Sequence, residues 1–324
     1  MTKTPWDEIQ TPSSDYNVRQ VGALIPNRVP VYWGKDTDGH CLLIVELEGD
    51  HSVQFRRDVT IVHGIRVDLR QCIIERRQSL VLTLEDHVNR DLFFGLCETL
   101  IKSLGPVTDP TAGLAVTLSH IKRWKAFLSG RKHGLLSPEE VRGLFAELMF
   151  LRSLYDSHLT EKSAIESWCG AEGAHQDFIF ANTAVEIKSL SGKERNTVHI
   201  SSEDQLEALS DNLYLVIFRL SEMPDSDRAM SLNDSVRRIN SELTDADAIE
   251  DFSAKLVAYG YVPMDVYDLP KFVVNSMHSY RVTDEFPRLI RSRLPEGVAR
   301  LSYEIELEKI ASFQVEAEQI FGEE

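Results

Sequence analysis

The chain has 324 residues, 43% of them hydrophobic and 27% charged, and a net charge of −16. Those proportions belong to a globular protein and exclude a collagenous or wholly disordered chain. The negative charge argues against a protein that coats nucleic acid without selection.

Length alone sets an expectation of two domains. No apolar run approaches the roughly 20 residues of a membrane helix, and the start, MTKTPWDEIQ, has no apolar stretch of the signal-peptide kind. A cytoplasmic protein that does not span a membrane is therefore expected. Cys41, Cys72, Cys97 and Cys169 show no CxxC spacing, so they read as scattered core thiols and not as a zinc site.

Residues 1–20 are polar and read as loosely ordered. From about 30 to 85, runs such as VPVYWG, HCLLIVELE, SVQFRRDV, IRVDLR, QCIIERR and SLVLTLE predict strands, separated by Gly, Asp and Asn breaks. A helix follows at 91–104, then a turn at Gly105-Pro106 and Asp109-Pro110. Residues 1–110 are thus expected to form a β-rich first domain, and 111–324 a second. Residues 111–129 read as a helix. SPEEVRGLFAELMFLRSLYDSH carries the clearest helix start: Ser137 can cap, Pro138 suits the first turn, and Glu140 stands three after the cap. DFIF, AVEIKSL and TVHIS predict strands, EDQLEAL a helix, LYLVIF a buried strand, and 230–259 two polar helices. Strands return at KFVVNSM and ARLSYEIEL.

The chemistry concentrates in AVEIKSL. Alternation along a strand puts Glu186 and Lys188 on one face, with Val185 and Ile187 on the other. A tight turn at Ala181-Asn182-Thr183 would set Asp177 opposite Glu186 or Lys188, about 5 Å away. Two carboxylates beside an ammonium suit Mg²⁺, which takes oxygen ligands and typically one or two protein carboxylates. Such an ion lowers the pKa of bound water and offsets charge on a reacting phosphate. The plain alternative is a cross-strand ion pair on a solvated sheet face. Against that, Lys188 alone among twelve lysines has an acid two residues before it. Glu147 adds weight, because its spacing from Leu144, Leu151 and Leu154 places a carboxylate within the apolar stripe of its helix, where it is costly without a partner.

In this order, a helix with an inward Glu147, Asp177 opening a strand, Glu186-x-Lys188 on the next strand, a third strand and a helix resemble the PD-(D/E)XK nuclease superfamily. The resemblance covers about 137–220. GLFAELMFLRSL, the Trp168–Gly170 loop, QDFIF, VEIKS and the Ser201-x-x-x-Gln205 segment are similar to a branch found in bacterial restriction and defence operons. The resemblance implies an α+β fold with an α/β core, a restriction-endonuclease-like mixed sheet flanked by helices. It implies that Asp177 and Glu186 bind Mg²⁺, or Mn²⁺ in its place, with the Ile187 carbonyl as a further ligand. Glu147 becomes a ligand or a supporting acid, Lys188 positions water and phosphate, and Gln205 lies on the helix after the core strands. No proline precedes Asp177, where His175-Gln176 stands, and Leu209 replaces the tyrosine of one exonuclease-like branch.

The implied function is a Mg²⁺-dependent endonuclease acting on DNA in restriction or anti-phage defence. The alternatives are a catalytically silent scaffold subunit of a defence complex, or a hydrolase of RNA. Candidate DNA contacts are Lys122, Arg123, Lys125, Arg131 and Lys132, a basic run without an acid, together with Arg195 and part of the arginine-rich run 56–77. The same run also reads as a solvated helix face. A homodimer and operon partners such as an ATPase or helicase or a methyltransferase are the expected associates. No GxxxxGK[ST], GxSxG or HExxH motif occurs.

Overall fold

The computed structural model describes residues 4–22, 29–72, 77–85, 90–130, 135–192, 196–207, 210–298 and 300–321. They divide into two compact units, 1–135 with 260–264, and 136–259 with 265–324.

The first unit holds a five-stranded antiparallel sheet of order β1-β2-β3-β5-β4. Its strands are β1 (Tyr16–Gln20), β2 (Val31–Asp36), β3 (Cys41–Glu48), β4 (Ile65–Cys72) and β5 (Arg77–Leu84). Helices α2 (Arg90–Leu104) and α3 (Pro110–Gly130) pack on each other, and α3 packs on β3. The Gly105–Pro110 turn therefore joins two helices of one unit, and the division falls at 135/136 instead of the expected 110.

Three expectations for this unit fail. The segment SVQFRRD is α1 (Ser52–Asp58), not a strand. Val53 and Phe55 alternate with polar residues, yet Val53 is 80% exposed. Gln78 from β5 anchors the helix start, accepting from the His51 amide at 2.8 Å and donating to Asp50 and Ser52. QCIIERR is not an independent strand: Gln71 and Cys72 end β4, Arg77 begins β5, and 73–76 lie outside the described residues. From residue 4 onward the opening segment is also ordered. Trp6 is fully buried, donates its indole N–H to the Leu42 carbonyl at 2.9 Å, and stacks on Phe93.

The second unit is built on a mixed sheet of order β12-β10-β9-β7-β6. The strands are β6 (Phe178–Phe180), β7 (Thr183–Ser191), β9 (Asn212–Glu222), β10 (Phe272–Arg281) and β12 (Gln314–Val315). β7 and β9 run parallel, and the other pairs are antiparallel. The helices are α4 (Pro138–Ser157), α5 (Glu161–Ser167), α6 (Leu232–Glu242) and α7 (Ala246–Tyr259). α4 starts as its sequence predicts, with a reciprocal Ser137–Glu140 capping box. This is the expected α+β fold with a mixed sheet and flanking helices. TVHIS, however, does not join that sheet. It forms β8 (Thr197–Ile200), which among the described residues pairs only with β11 (Tyr303–Glu306), in a separate ribbon. Val198, Ile200 and Ile305 of the ribbon join Leu213, Leu215 and Ile217 of β9 in one apolar core. Among the described residues, no helix is long and apolar enough to cross a membrane.

Candidate active site

The site grows from the free edge of β7. β6 is three residues long and pairs only with Thr183–Val185. Beyond that point no strand of the described residues pairs with β7 on this side, so the Ile187 amide needs another acceptor. Asp177 supplies it: its Oδ2 accepts from Ile187 N at 2.7 Å. In a strand the N–H and C=O of one residue face the same edge, so the Ile187 carbonyl also faces the Asp177 side. Ala181 makes the tight turn before β7, at φ 47°.

Alternation holds as read. Val185 and Ile187 are buried on one face, while Glu186 and Lys188 join on the other, Nζ to Oε1 at 2.8 Å. The pair is not a solvated surface bridge, because Glu186 is only 2% exposed. Lys188 Nζ also donates to Gln205 Oε1 at 3.1 Å, and the same oxygen accepts from the Ser201 amide at 2.8 Å. Gln205 thus reaches Lys188 from a turn, and not from the helix that the resemblance implied. EDQLEAL does not form the expected helix over its described residues. Gln176 Nε2 gathers the carbonyls of Asp204, Gln205 and Glu207, at 2.9, 3.2 and 3.2 Å, and holds them in the turn.

Glu147 faces inward from α4 and is 6% exposed. Its Oε2 accepts from the Trp168 indole at 2.7 Å and its Oε1 from the Tyr259 hydroxyl at 3.0 Å. Both oxygens are therefore engaged by protein donors. Lys255 steadies the loop that carries Trp168, donating to the Trp168 carbonyl at 2.5 Å and pairing with Glu172 at 3.2 Å. Tyr259 and Lys255 left no local sequence signal, since each lies about ninety residues or more beyond its partner. Gly170 fits between the two acids. A Cβ there would stand 2.8 Å from both Asp177 Oδ1 and Glu147 Oε2. Gly170→Ala is therefore expected to push the carboxylates apart and to weaken divalent-metal affinity by tenfold or more, on the scale of a disturbed supporting shell. Calorimetric titration with Mn²⁺ reads this directly, and an unchanged affinity would show that the close approach has no role in holding metal.

Burial governs the electrostatics. It pushes Glu147 well above the ordinary carboxylate range, with Asp177 adding repulsion and the Trp168 and Tyr259 donors pulling back. Burial raises Asp177 to about 6 against the opposing pull of the Ile187 amide and Lys188. Burial and the Asp177 charge raise Glu186 to about 8, against Lys188. Lys188 is itself drawn down by burial, but Glu186 outweighs this and leaves the ammonium above its ordinary value. Two buried acids, Glu147 and Glu186, and the half-buried Asp177 face one ammonium, and Glu186 Oε2 is buried with no hydrogen-bond partner among the described residues. A divalent cation fits that deficit. Two carboxylates, Asp177 and Glu186, and one backbone carbonyl match the all-oxygen, few-ligand habit of Mg²⁺.

Among the described residues, one His-and-carboxylate trio brings its ligand atoms within 4.8 Å of one another, and it lies elsewhere, at Asp36, Asp38 and His40. That trio is a hairpin turn between β2 and β3, in which Asp36 accepts from the Asp38 and His40 amides and from the His40 ring. His175 does not join the carboxylates; its largely exposed ring lies 4.0 Å from Asp204.

The candidate DNA contacts belong to the first unit or lie outside the described residues. Lys122, Arg123 and Lys125 are exposed on α3. Lys125 reaches Thr60 at 3.1 Å, and Asp58 is held below its ordinary pKa, first by Arg57 and more weakly by Lys122. α1 therefore brings the exposed Arg56 and Arg57 alongside these cations. Arg66 and Arg70 of the arginine-rich run pair with Asp68 and Asp15, and Arg77 with Glu46 and Glu48. Arg131, Lys132 and Arg195 fall outside the described residues.

A family model, DUF4420, whose description reads "Putative PD-(D/E)XK family member", matches residues 2–308. No curated protein matches the chain, and no solved structure does. With the helix acid, the strand-opening Asp177 and the Glu186-x-Lys188 strand gathered at one sheet edge, and with the match spanning nearly the whole sequence, the chain belongs to the DUF4420 family of PD-(D/E)XK proteins.

Proposed function

We propose that the chain is a Mg²⁺-dependent endonuclease that hydrolyses DNA phosphodiester bonds, working in bacterial restriction or anti-phage defence. The observation that carries this reading is Glu186 Oε2, a buried carboxylate oxygen that has no hydrogen-bond partner among the described residues and lies beside Asp177 and Lys188. Family membership supports the nuclease class. The defence setting rests on the resemblance of 137–220 to the restriction-operon branch.

Asp177, Glu186 and the Ile187 carbonyl would hold the ion, and Mn²⁺ would substitute for Mg²⁺. When bound, the ion acidifies water and offsets charge on the reacting phosphate. Lys188, fixed by Glu186 and Gln205, orients the attacking water and steadies the phosphate oxygen. Glu147, held by Trp168 and Tyr259, keeps the Trp168–Gly170 loop against Asp177 and so fixes that carboxylate's position. Lys122, Arg123 and Lys125, joined by Arg56 and Arg57, are the proposed phosphate contacts of the first unit. Arg131, Lys132 and Arg195 extend the proposal. A homodimer, or an operon-encoded ATPase, helicase or methyltransferase, would supply cleavage of both strands or target selection.

Incubation with supercoiled and linear DNA, in Mg²⁺ or in EDTA, tests the proposal beside an Asp177→Asn variant. Nicking or cutting that requires the metal and is absent from the variant is the expected result. Cutting that persists in EDTA, or in the variant, would overturn it.

A further inference from the structure

Beside Lys188 the second unit carries a cavity of about 400 Å³, lined chiefly by Arg142, Lys188, Ser189, Thr197, His199 and Glu304. Its size lies within the range of small-ligand pockets, about 300–1,000 Å³. Lys188 belongs to both the cavity and the carboxylate cluster, so an occupant adjoins whatever group the lysine holds.

The β8–β11 ribbon builds one wall. Val198, Ile200 and Ile305 point into the core, which forces Thr197, His199 and Glu304 outward. His199 and Glu304 are directly opposed in the register, so their side chains stand next to each other. Both are exposed, and among the described residues neither side chain has a hydrogen-bond or ion-pair partner. His199 and Glu304, without partners among the described residues, thus line a cavity that opens on Lys188.

The lining chemistry discriminates between occupants. A site for a bare phosphate is served by cations, hydroxyls and amides, and a carboxylate would repel it. Here Glu304 contributes an acceptor-only group. Arg142, the two hydroxyls and the imidazole contribute donors. A nucleobase edge carries both ring acceptors and an exocyclic amino donor, and carboxylates accept from the amino group of cytosine. Given the nuclease reading, on which this inference rests, we infer that the cavity seats the nucleobase next to the scissile phosphate. Glu304 accepts from an exocyclic amino group and His199 lies against the same base. The wall thereby gives the enzyme a local preference for amino-bearing bases over thymine.

Binding by the full chain silenced with Asp177→Asn tests this without turnover. Fluorescence anisotropy with short oligo-dC and oligo-dT, in EDTA and at fixed salt, is expected to show tighter binding of oligo-dC by about fivefold or more, the low end of a direct base contact. Glu304→Ala should erase that difference, and circular dichroism should show its fold intact. Equal binding of the two oligonucleotides, or a preference that survives in Glu304→Ala, would overturn the inference. A fall in affinity that is the same for both oligonucleotides would also overturn it. A chain that discriminates the bases but never cuts DNA would leave the pocket standing and sink the nuclease reading. Cutting whose flanking bases are identical in the parent and in Glu304→Ala would do the reverse.

Discussion

Lys188→Ala is expected to slow metal-dependent DNA hydrolysis by roughly 10²- to 10⁴-fold, the range in which a positioned proton-transfer group acts. The lysine is held at two points, Glu186 at 2.8 Å and Gln205 at 3.1 Å, and its side chain is 15% exposed. That clamp allows one productive placement of the ammonium. Alanine removes it and leaves Glu186 buried without a counter-charge. Breaking a buried ion pair by removing one partner ordinarily costs about 3–5 kcal/mol, but Glu186 can take up a proton instead. The variant should therefore melt close to the parent at acidic pH and well below it at pH 9. Lys188→Arg should not restore the rate, since a planar fork does not replace a point donor in a closed site. Single-turnover rates and melting curves across pH check this. Activity surviving in Lys188→Ala would show that the lysine is not part of the hydrolytic site.

The stability of the metal-free protein is expected to fall as pH rises from about 4 to about 8, and Mg²⁺ is expected to reverse the loss. Asp177 and Glu186 have ordinary values of 3.8 and 4.5 and are raised to about 6 and about 8 in the fold. Between those limits the folded chain keeps protons that the unfolded chain has released, so stability declines with pH. Each pKa unit corresponds to about 1.4 kcal/mol at most, and the combined loss is on the order of a few kcal/mol. Asp7 and Glu242 act oppositely. Both are held at about 2, Asp7 by the Thr4 amide and then Arg90, Glu242 by Arg152 and then Tyr155 and Arg238. Their contribution is present above the ordinary carboxylate range and is lost as pH falls toward 2. The stability maximum thus belongs near pH 4–5 in EDTA. Because metal binds the deprotonated carboxylates and only the folded chain gathers them, Mg²⁺ should raise Tm more at pH 8 than at pH 5.5. A Tm that is flat across this interval and indifferent to Mg²⁺ would show that the acids do not form a linked, metal-ready cluster.

What could be read from the sequence was local. Glu147 betrays itself by standing in a helical apolar stripe, and Glu186 and Lys188 by strand alternation. The Asp177 side was reachable through one tight turn. What could not be read depends on groups distant in the chain. SVQFRRD alternates like a strand, but Gln78 of β5 anchors its start as a helix. EDQLEAL has helical periodicity, but the Gln176 amide draws three of its carbonyls into a turn. Glu147 required partners, yet nothing local pointed to Tyr259, 112 residues away. The polar opening segment hides its order in one residue, Trp6, whose burial is visible only once β3 and α2 are in place around it.

The pairing of β8 with β11 also sets an order of events during synthesis. Residues 197–200 emerge about a hundred residues before 303–306, their sole strand partner among the described residues. At roughly 5–20 residues per second, β8 waits some seconds without a ladder. In that interval Asp177, Glu186 and Lys188 have all been made, and β9 is available to pair with β7. The wall that completes the cavity beside Lys188 waits for residues 303–306. Glu304 is therefore the last of the lining side chains to be made, and a growing polypeptide holds Lys188 and His199 for some seconds before the strand that faces His199 exists.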